Sequence, residues 1–285
     1  MIVVVGDVVT DVVAAYEGVL AAGSDTAARI RTLGGGSAAN TAAWLATLGA
    51  PVRMIGVVGA DDAGRTRAAE LRALGVETFL RSTEEAATGS IVVLSDGRER
   101  TMLSDRGANG LLRPADLALD GVRHLHLSGY TLFDPATREA GLRALAEARA
   151  RGATTSVDAS SAAPLRRVPF LSFLGNVDVL LANVDEARVL LGTLGTAPDL
   201  APALLTRVRH AIVKSGADGA VWAHADGVVS APAAPVPAVV DPTGAGDAFA
   251  AGLLHAWLGG APPSDALARG AQCGARAVTK LGGRP

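Results

Sequence analysis

"DPTGAGDAFAAG", residues 241–252, places two acids and three glycines between a strand and a helix. Val239 and Val240 end a strand-like run, and Pro242 cannot continue a ladder. From Asp247 onward, "DAFAAGLLHAWL" reads as an apolar helix over 247–257, with Asp247 at or next to its N-cap. A small-residue loop ending on a helix N-terminus presents unpaired N–H groups and the positive end of the helix dipole. Such a loop is a site for an anion. A capping aspartate would explain one acid. It does not explain the glycines, which let backbone approach a phosphate closely. A carboxylate beside such a nest can accept the proton of a hydroxyl that attacks a phosphoryl group.

The rest of the chain frames that loop. Near-continuous apolar runs at 1–5, 53–58, 124–127, 154–157, 179–181 and 211–213 predict parallel strands covered on both faces. Helical patterns at 40–48, 65–74, 135–151 and 185–191 alternate with them, which predicts a layered α/β fold. With no repeat and no linker, residues 1–285 are expected to form one domain. Two segments break the alternation, at about 12–33 and 87–109. The second holds "SIVVLSDGRERTML", whose Asp96-Gly97 pair is a hairpin signal. Together they predict a small accessory sheet, read as a lid over a pocket. Ile91, Val93, Thr101 and Leu103 are expected on one face of it, covered by the pocket or by a second subunit.

Composition narrows the function. A net charge of −2 argues against nucleic-acid and membrane-surface partners. Cys273 is the single cysteine, so no internal disulfide can form. The opening "MIVVVGD" lacks a signal-peptide pattern, and a cytoplasmic protein is expected. The five histidines show no zinc spacing. "GADDAGRT" at 59–66 nearly reads as a P-loop, but Arg65 replaces the lysine and two acids would repel phosphate. It reads instead as a turn and helix start. "VVVGDVV" at 3–9 opens like a dinucleotide-binding strand, yet no G-x-G-x-x-G follows.

"DPTGAGDAFAAG" resembles the C-terminal signature of the ribokinase-like (PfkB) carbohydrate kinases. "GGGSAANTAAWLATLGA", "IGVVGADDAGRTRAAELRALGVET", "GAN" at 107–109, "LLANVDEARVLLG", "VKSGADGA" and "AVTKLGG" resemble further family segments, in the family's order. The resemblance covers most of the chain. It implies a three-layer ribokinase-like fold, with a mostly parallel central sheet and a small β-sheet lid. It implies that Asp247 is the catalytic base and that Gly244, Ala245 and Gly246 form an anion hole. Asp241 and Thr243, with carbonyls of Ala277, Lys280 and Gly282, would hold a monovalent cation such as K+. Asp11, Gly35, Gly36 and Asn40 match the sugar-binding positions. Asn183 and Glu186 match a motif linked to nucleotide phosphates and magnesium, and they also read as a capping box. Gly216 and Gly219 would line ATP, along with the helix carrying Cys273. Lys214 stands where relatives often carry a small hydroxyl residue, and it reaches either phosphate or solvent. Ser37 replaces a lysine common in ribokinases proper, which weakens ribose as the substrate. Ser160 replaces a common asparagine, which bears on any role of Asp158.

The resulting expectation is ATP- and magnesium-dependent phosphorylation of a hydroxymethyl group on a sugar or sugar-like substrate. A nucleoside kinase of the adenosine or pseudouridine type is the alternative within that chemistry. A non-catalytic sugar or nucleotide binder and an NAD-dependent oxidoreductase belong to other classes; the intact Asp247 motif argues against the first. A homodimer through the lid is also expected from the resemblance.

Overall fold

The computed structural model describes residues 1–96, 100–175 and 177–285. The turn expected at Asp96-Gly97 therefore falls partly outside the described residues. In chain order the strands are β1 (Ile2–Val5), β2 (Val9–Tyr16), β3 (Ala28–Gly35), β4 (Val52–Gly59), β5 (Glu77–Thr83), β6 (Gly89–Ser95), β7 (Arg100–Asp105), β8 (His124–Ser128), β9 (Thr154–Asp158), β10 (Val179–Asn183), β11 (His210–Lys214), β12 (Ala220–His224) and β13 (Gly227–Ala231). The helices are α1 (Ser37–Thr47), α2 (Asp62–Ala73), α3 (Tyr130–Phe133), α4 (Pro135–Ala150), α5 (Ala162–Leu165), α6 (Val184–Leu191), α7 (Ala197–Leu204), α8 (Ala245–Leu258) and α9 (Pro263–Ala277).

Among the described residues, nine strands form one sheet in the order β13-β12-β11-β10-β9-β8-β1-β4-β5. It is parallel from β5 to β11; β12 and β13 add an antiparallel edge. The central run "IVVV" explains the layering. Val3 and Val5 enter one apolar core, whereas Ile2 and Val4 enter another on the opposite face. A strand whose two faces are both buried must be apolar at every position, and this one is.

The second sheet has four strands, in the order β3-β2-β6-β7. Its strands come from the two segments that interrupt the alternation, although β2 begins at Val9, before residue 12. The register corrects the expected hairpin face. Ile91 lies opposite Ser104 and Val93 opposite Met102, whereas Thr101 and Leu103 lie opposite Leu94 and Val92. Side chains alternate along a strand, so Thr101 and Leu103 occupy the other face from Ile91 and Val93.

The chain crosses between the sheets twice near one point. Gly6 to Val8 link β1 to β2, and Gly36 links β3 to α1. Asp7 binds these crossings together: its carboxylate accepts the Ser37 N–H at 2.8 Å, and its carbonyl accepts the Ala39 N–H at 3.2 Å. Asn109, from the "GAN" segment, fixes the same crossing. Its side chain accepts the Val8 N–H at 2.8 Å and donates to the Val8 and Arg106 carbonyls at 3.0 and 2.9 Å. The near-P-loop is a helix start, as its sequence suggests. Asp61 caps α2 through the Gly64 N–H at 2.7 Å and also accepts bonds from Thr88.

Gly36 has φ +98°, and a Cβ there would overlap the Asp7 carbonyl. Gly36→Ala should cost about 2–4 kcal/mol from strain plus overlap. Gly75→Ala provides the comparison, with φ +88° but nothing within 4 Å of the added atom. It should cost only about 1–2 kcal/mol. Equal urea midpoints for the two variants would refute this account of the crossing.

Candidate active site

α8 starts two residues earlier than its sequence suggests. Gly244, at φ +73°, is the N-cap, and Asp247 is the third helical residue. Asp247 is therefore not the cap. Its carboxylate faces α1: Ser37 Oγ donates to Oδ1 at 2.8 Å and Asn40 Nδ2 donates to Oδ2 at 2.9 Å. Burial, together with the nearby Asp158 and Asp7 charges, pushes its pKa up to about 7, although the Asn40 and Ser37 bonds oppose this. In the preceding loop, the Ala245 N–H bonds to the Pro242 carbonyl at 3.3 Å. The Gly244 and Gly246 N–H groups have no protein partner among the described residues.

Asp11 sits on β2, 4% exposed, against the bare Cα of Gly35; a side chain at Gly35 would overlap its carboxylate. Burial raises Asp11 to about 6, with Arg284 opposing. Asp11 Oδ1 and Asn40 Oδ1 are both buried acceptors with no donor among the described residues. Two such acceptors, in a region that also holds Asp247, are suited to hydroxyl hydrogens from a bound molecule. Arg284 closes this wall, donating to the Gly35 carbonyl at 3.2 Å and to Glu70 at 2.8 Å.

On the other side of α8, three neighbouring strands end together. β9 ends on Asp158, β10 on Asn183 and β11 on Lys214. Asn183 and Glu186 form the capping box of α6: Glu186 accepts the Asn183 N–H at 2.8 Å, and Asn183 Oδ1 accepts the Glu186 N–H at 2.8 Å. Burial, then the Asp158 charge, raises Glu186 to about 7. Lys214 points inward and pairs with Asp158 at 2.8 Å. Gly216 and Gly219 lie in the turn beyond it. Gly219 packs tightly on β13, where a side chain would overlap the Ala231 carbonyl.

Asp241 is buried and accepts the Thr243 N–H and the Gly282 N–H, each at 2.9 Å. That joins the loop before α8 to the segment after α9. Lys280 turns its ammonium onto the Trp44 ring, 5.4 Å from the centroid, while the Ala277 carbonyl accepts the Lys280 N–H at 3.4 Å. Among the described residues, no group of three or more His, Cys, Asp or Glu side chains could hold a metal ion. Cys273 is buried in α9, where its sulfur packs against Gly252 of α8.

The model of the pfkB family carbohydrate kinases matches residues 1–285. The chain belongs to that family. It is 34% identical over 266 residues to the ATP-dependent ribose-1-phosphate kinase of Halopiger xanaduensis, covering 89% of this chain and 83% of that one. Adenosine kinase from Sinorhizobium meliloti superposes with a TM-score of 0.92 at 26% identity, covering 100% and 95% of the two chains. Aminoimidazole riboside kinase from Salmonella enterica, solved with aminoimidazole riboside and an ATP analog, superposes with a TM-score of 0.83 at 27% identity, covering 99% and 94%. As a family member the chain is a phosphotransferase of the sugar and nucleoside kinase class, with the ribokinase-like fold. Among the described residues, no helix is long and apolar enough to cross a membrane.

Sequence reasoning missed three residues at this site. Ser37 registers there only as a departure from a lysine, yet it holds Asp247. Asp7 sits in the discounted "VVVGDVV" stretch, yet it anchors α1. Asp158 pairs with Lys214 despite the Ser160 departure. Ser160 takes the left-handed φ of +67°, a conformation asparagine favours, and its N–H still bonds to Asp158 Oδ1 at 2.8 Å.

A raised carboxylate pKa has a sign. Above pH 7 Asp247 is ionised in both native and unfolded states, and the native state carries the cost of a buried charge. Below about 4 both states are protonated and the cost is gone. Asp247→Asn should therefore melt higher than wild type at pH 8, by about 2–4 °C for each kcal/mol recovered. The difference should shrink as pH falls from 7 toward 4. A pH-independent difference would exclude a buried charge at Asp247.

Proposed function

We propose that this kinase uses ATP to phosphorylate a hydroxymethyl group of a sugar or sugar-like substrate, with Asp247 as the base. The observation that carries this reading is Asn40. One end of its amide holds the Asp247 carboxylate, and the other end is a buried acceptor with no protein donor. Asn40 can thus bind a substrate hydroxyl while it orients the group that deprotonates another. Asp11 takes further hydroxyls, with Gly35 leaving room for it and Gly36 making the turn over the Asp7 carbonyl. The Gly244, Ala245 and Gly246 segment receives the transferring phosphoryl at the positive end of α8.

Asn183, Glu186, Lys214, Gly216 and Gly219 form the nucleotide side. The donor set fits a magnesium ion carried mainly by phosphate and water rather than one caged by protein, because Glu186 is already committed to its capping box. That ion would neutralise charge on the phosphates. Asp241, Thr243 and the carbonyls of Ala277, Lys280 and Gly282 hold a monovalent cation such as K+, which would stiffen the loop before α8. The small sheet serves as a lid that excludes competing water.

A second reading has its own support. Beyond Asp11, an open cleft of about 1200 Å³ runs between the small sheet and the main body, lined by Val13, Ala15, Tyr16, Val93, Val240 and Leu281. Asp11, Val13 and Ala15 share one face of β2. Glu17, Thr26, Arg29 and Asp241 also line it, and a bare sugar does not need a cleft of that size with both apolar and polar walls, so the structure also suits a nucleoside. Assay of ADP release over a panel of sugars, sugar phosphates and nucleosides, in potassium and in lithium buffers, separates these readings.

Asp247→Asn should lower kcat by about 10³-fold or more and leave the Kd for ATP nearly unchanged. Turnover close to wild type would sink the mechanism. The base acts only when ionised, so kcat should fall as pH drops through about 7. Ser37→Ala removes a bond that favours the ionised form. Its acidic limb should therefore move to higher pH, and an unmoved limb would exclude Ser37 from positioning the base.

A further inference from the structure

The nucleotide-side role given to Lys214 leaves its ion pair with Asp158 unexplained. Lys214 is the last residue of β11, and its side chain is 13% exposed. Its Nζ lies 2.8 Å from Asp158 Oδ2 and 3.3 Å from where a Cβ on Gly246 would stand. The ammonium therefore abuts the loop whose Gly244 and Gly246 N–H groups lack protein partners. It also feels the charges of Glu186 and Asp247 as well as that of Asp158. Among the described residues, no other Lys or Arg forms an ion pair with any of these three carboxylates.

The two partners differ in freedom. Asp158 is held independently, since its other oxygen accepts the Ser160 N–H at 2.8 Å. Lys214 sits on a four-carbon stem whose three donors can rotate toward a new acceptor. A phosphate is a strong acceptor for an ammonium.

We propose that Lys214 changes partners during turnover: Asp158 holds its ammonium in the nucleotide-free protein, and the γ-phosphate of a bound nucleoside triphosphate takes it over beside Gly246. This deepens the kinase reading above and rests on it. In the reaction, the substrate oxygen forms a bond to the γ-phosphorus and the bond from that phosphorus to the ADP oxygen breaks. The hydroxyl proton passes to Asp247. Lys214 keeps all of its protons and supplies a fixed positive charge to the oxygens being transferred. Asp158 is then a competitor for the lysine as well as its resting partner.

The test is calorimetric binding of ADP and of a non-hydrolysable ATP analogue to the full chain, in magnesium buffer and in EDTA. Wild type should prefer the triphosphate. Lys214→Met should lose about tenfold or more of that preference, in both buffers, and bind ADP within about twofold of wild type. Lys214→Arg should retain part of it. Asp158→Asn should bind the triphosphate analogue more tightly than wild type, because the competitor is weakened. If Lys214 only neutralises a buried carboxylate, Lys214→Met will melt lower with its triphosphate preference intact. The double variant with Asp158→Asn will then regain the lost stability; that pattern overturns the proposal. A wild type that binds neither nucleotide overturns the kinase reading, and the proposal with it. A wild type that binds both without preference overturns the proposal alone.

Discussion

Asp7 is the residue on which the geometry of the site depends. It lies where the chain leaves the main sheet for the small one, and its carboxylate holds the first N–H of α1 at 2.8 Å. α1 carries Ser37 and Asn40 on its first turn, and those two side chains hold Asp247 from the far end of the sequence. A carboxylate at a helix N-terminus is favourable for both. Here it also fixes the angle at which one helix presents donors to the Asp247 carboxylate on another. Gly36 has no side chain because the Asp7 carbonyl occupies the space one would need. Asn109 repeats the constraint from a third segment by clamping Val8.

Around this crossing the protein concentrates carboxylates that it neutralises only in part. Asp11 is raised to about 6, and Glu186 and Asp247 to about 7, in each case chiefly by burial. A purely structural site would pair these groups or replace them. Their cost in stability is the usual counterpart of a site prepared for charge that arrives with a substrate. Lys214 offsets part of that charge through Asp158, and the same ammonium lies against Gly246 at the start of α8.

Much of this was legible in the chain because the relevant signals are local. Strand and helix periodicity follow from which faces are buried. The glycines at 244 and 246 mark a loop that ends on a helix start. The hairpin face is not legible in the chain, because alternation fixes only which residues share a face within one strand. Which residues lie opposite each other depends on the register across the turn, and that register is set by the pairing of β6 with β7. The α8 boundary lies earlier than the sequence suggests because Asp is a frequent cap, whereas the turn here is made by Gly244 at a positive φ.

The sequence by itself determined the alternating α/β class, the presence of a second small sheet, and the glycine loop at a helix start with Asp247 as the acid beside it. Only the tertiary structure decided what surrounds that acid. Ser37 and Asn40 are more than 200 positions away, and Asp158 and Lys214 are 56 apart. No periodicity links residues at such separations. They meet because parallel strands deliver their C-terminal ends to one edge of the sheet, and because Asp7 sets α1 across the start of α8.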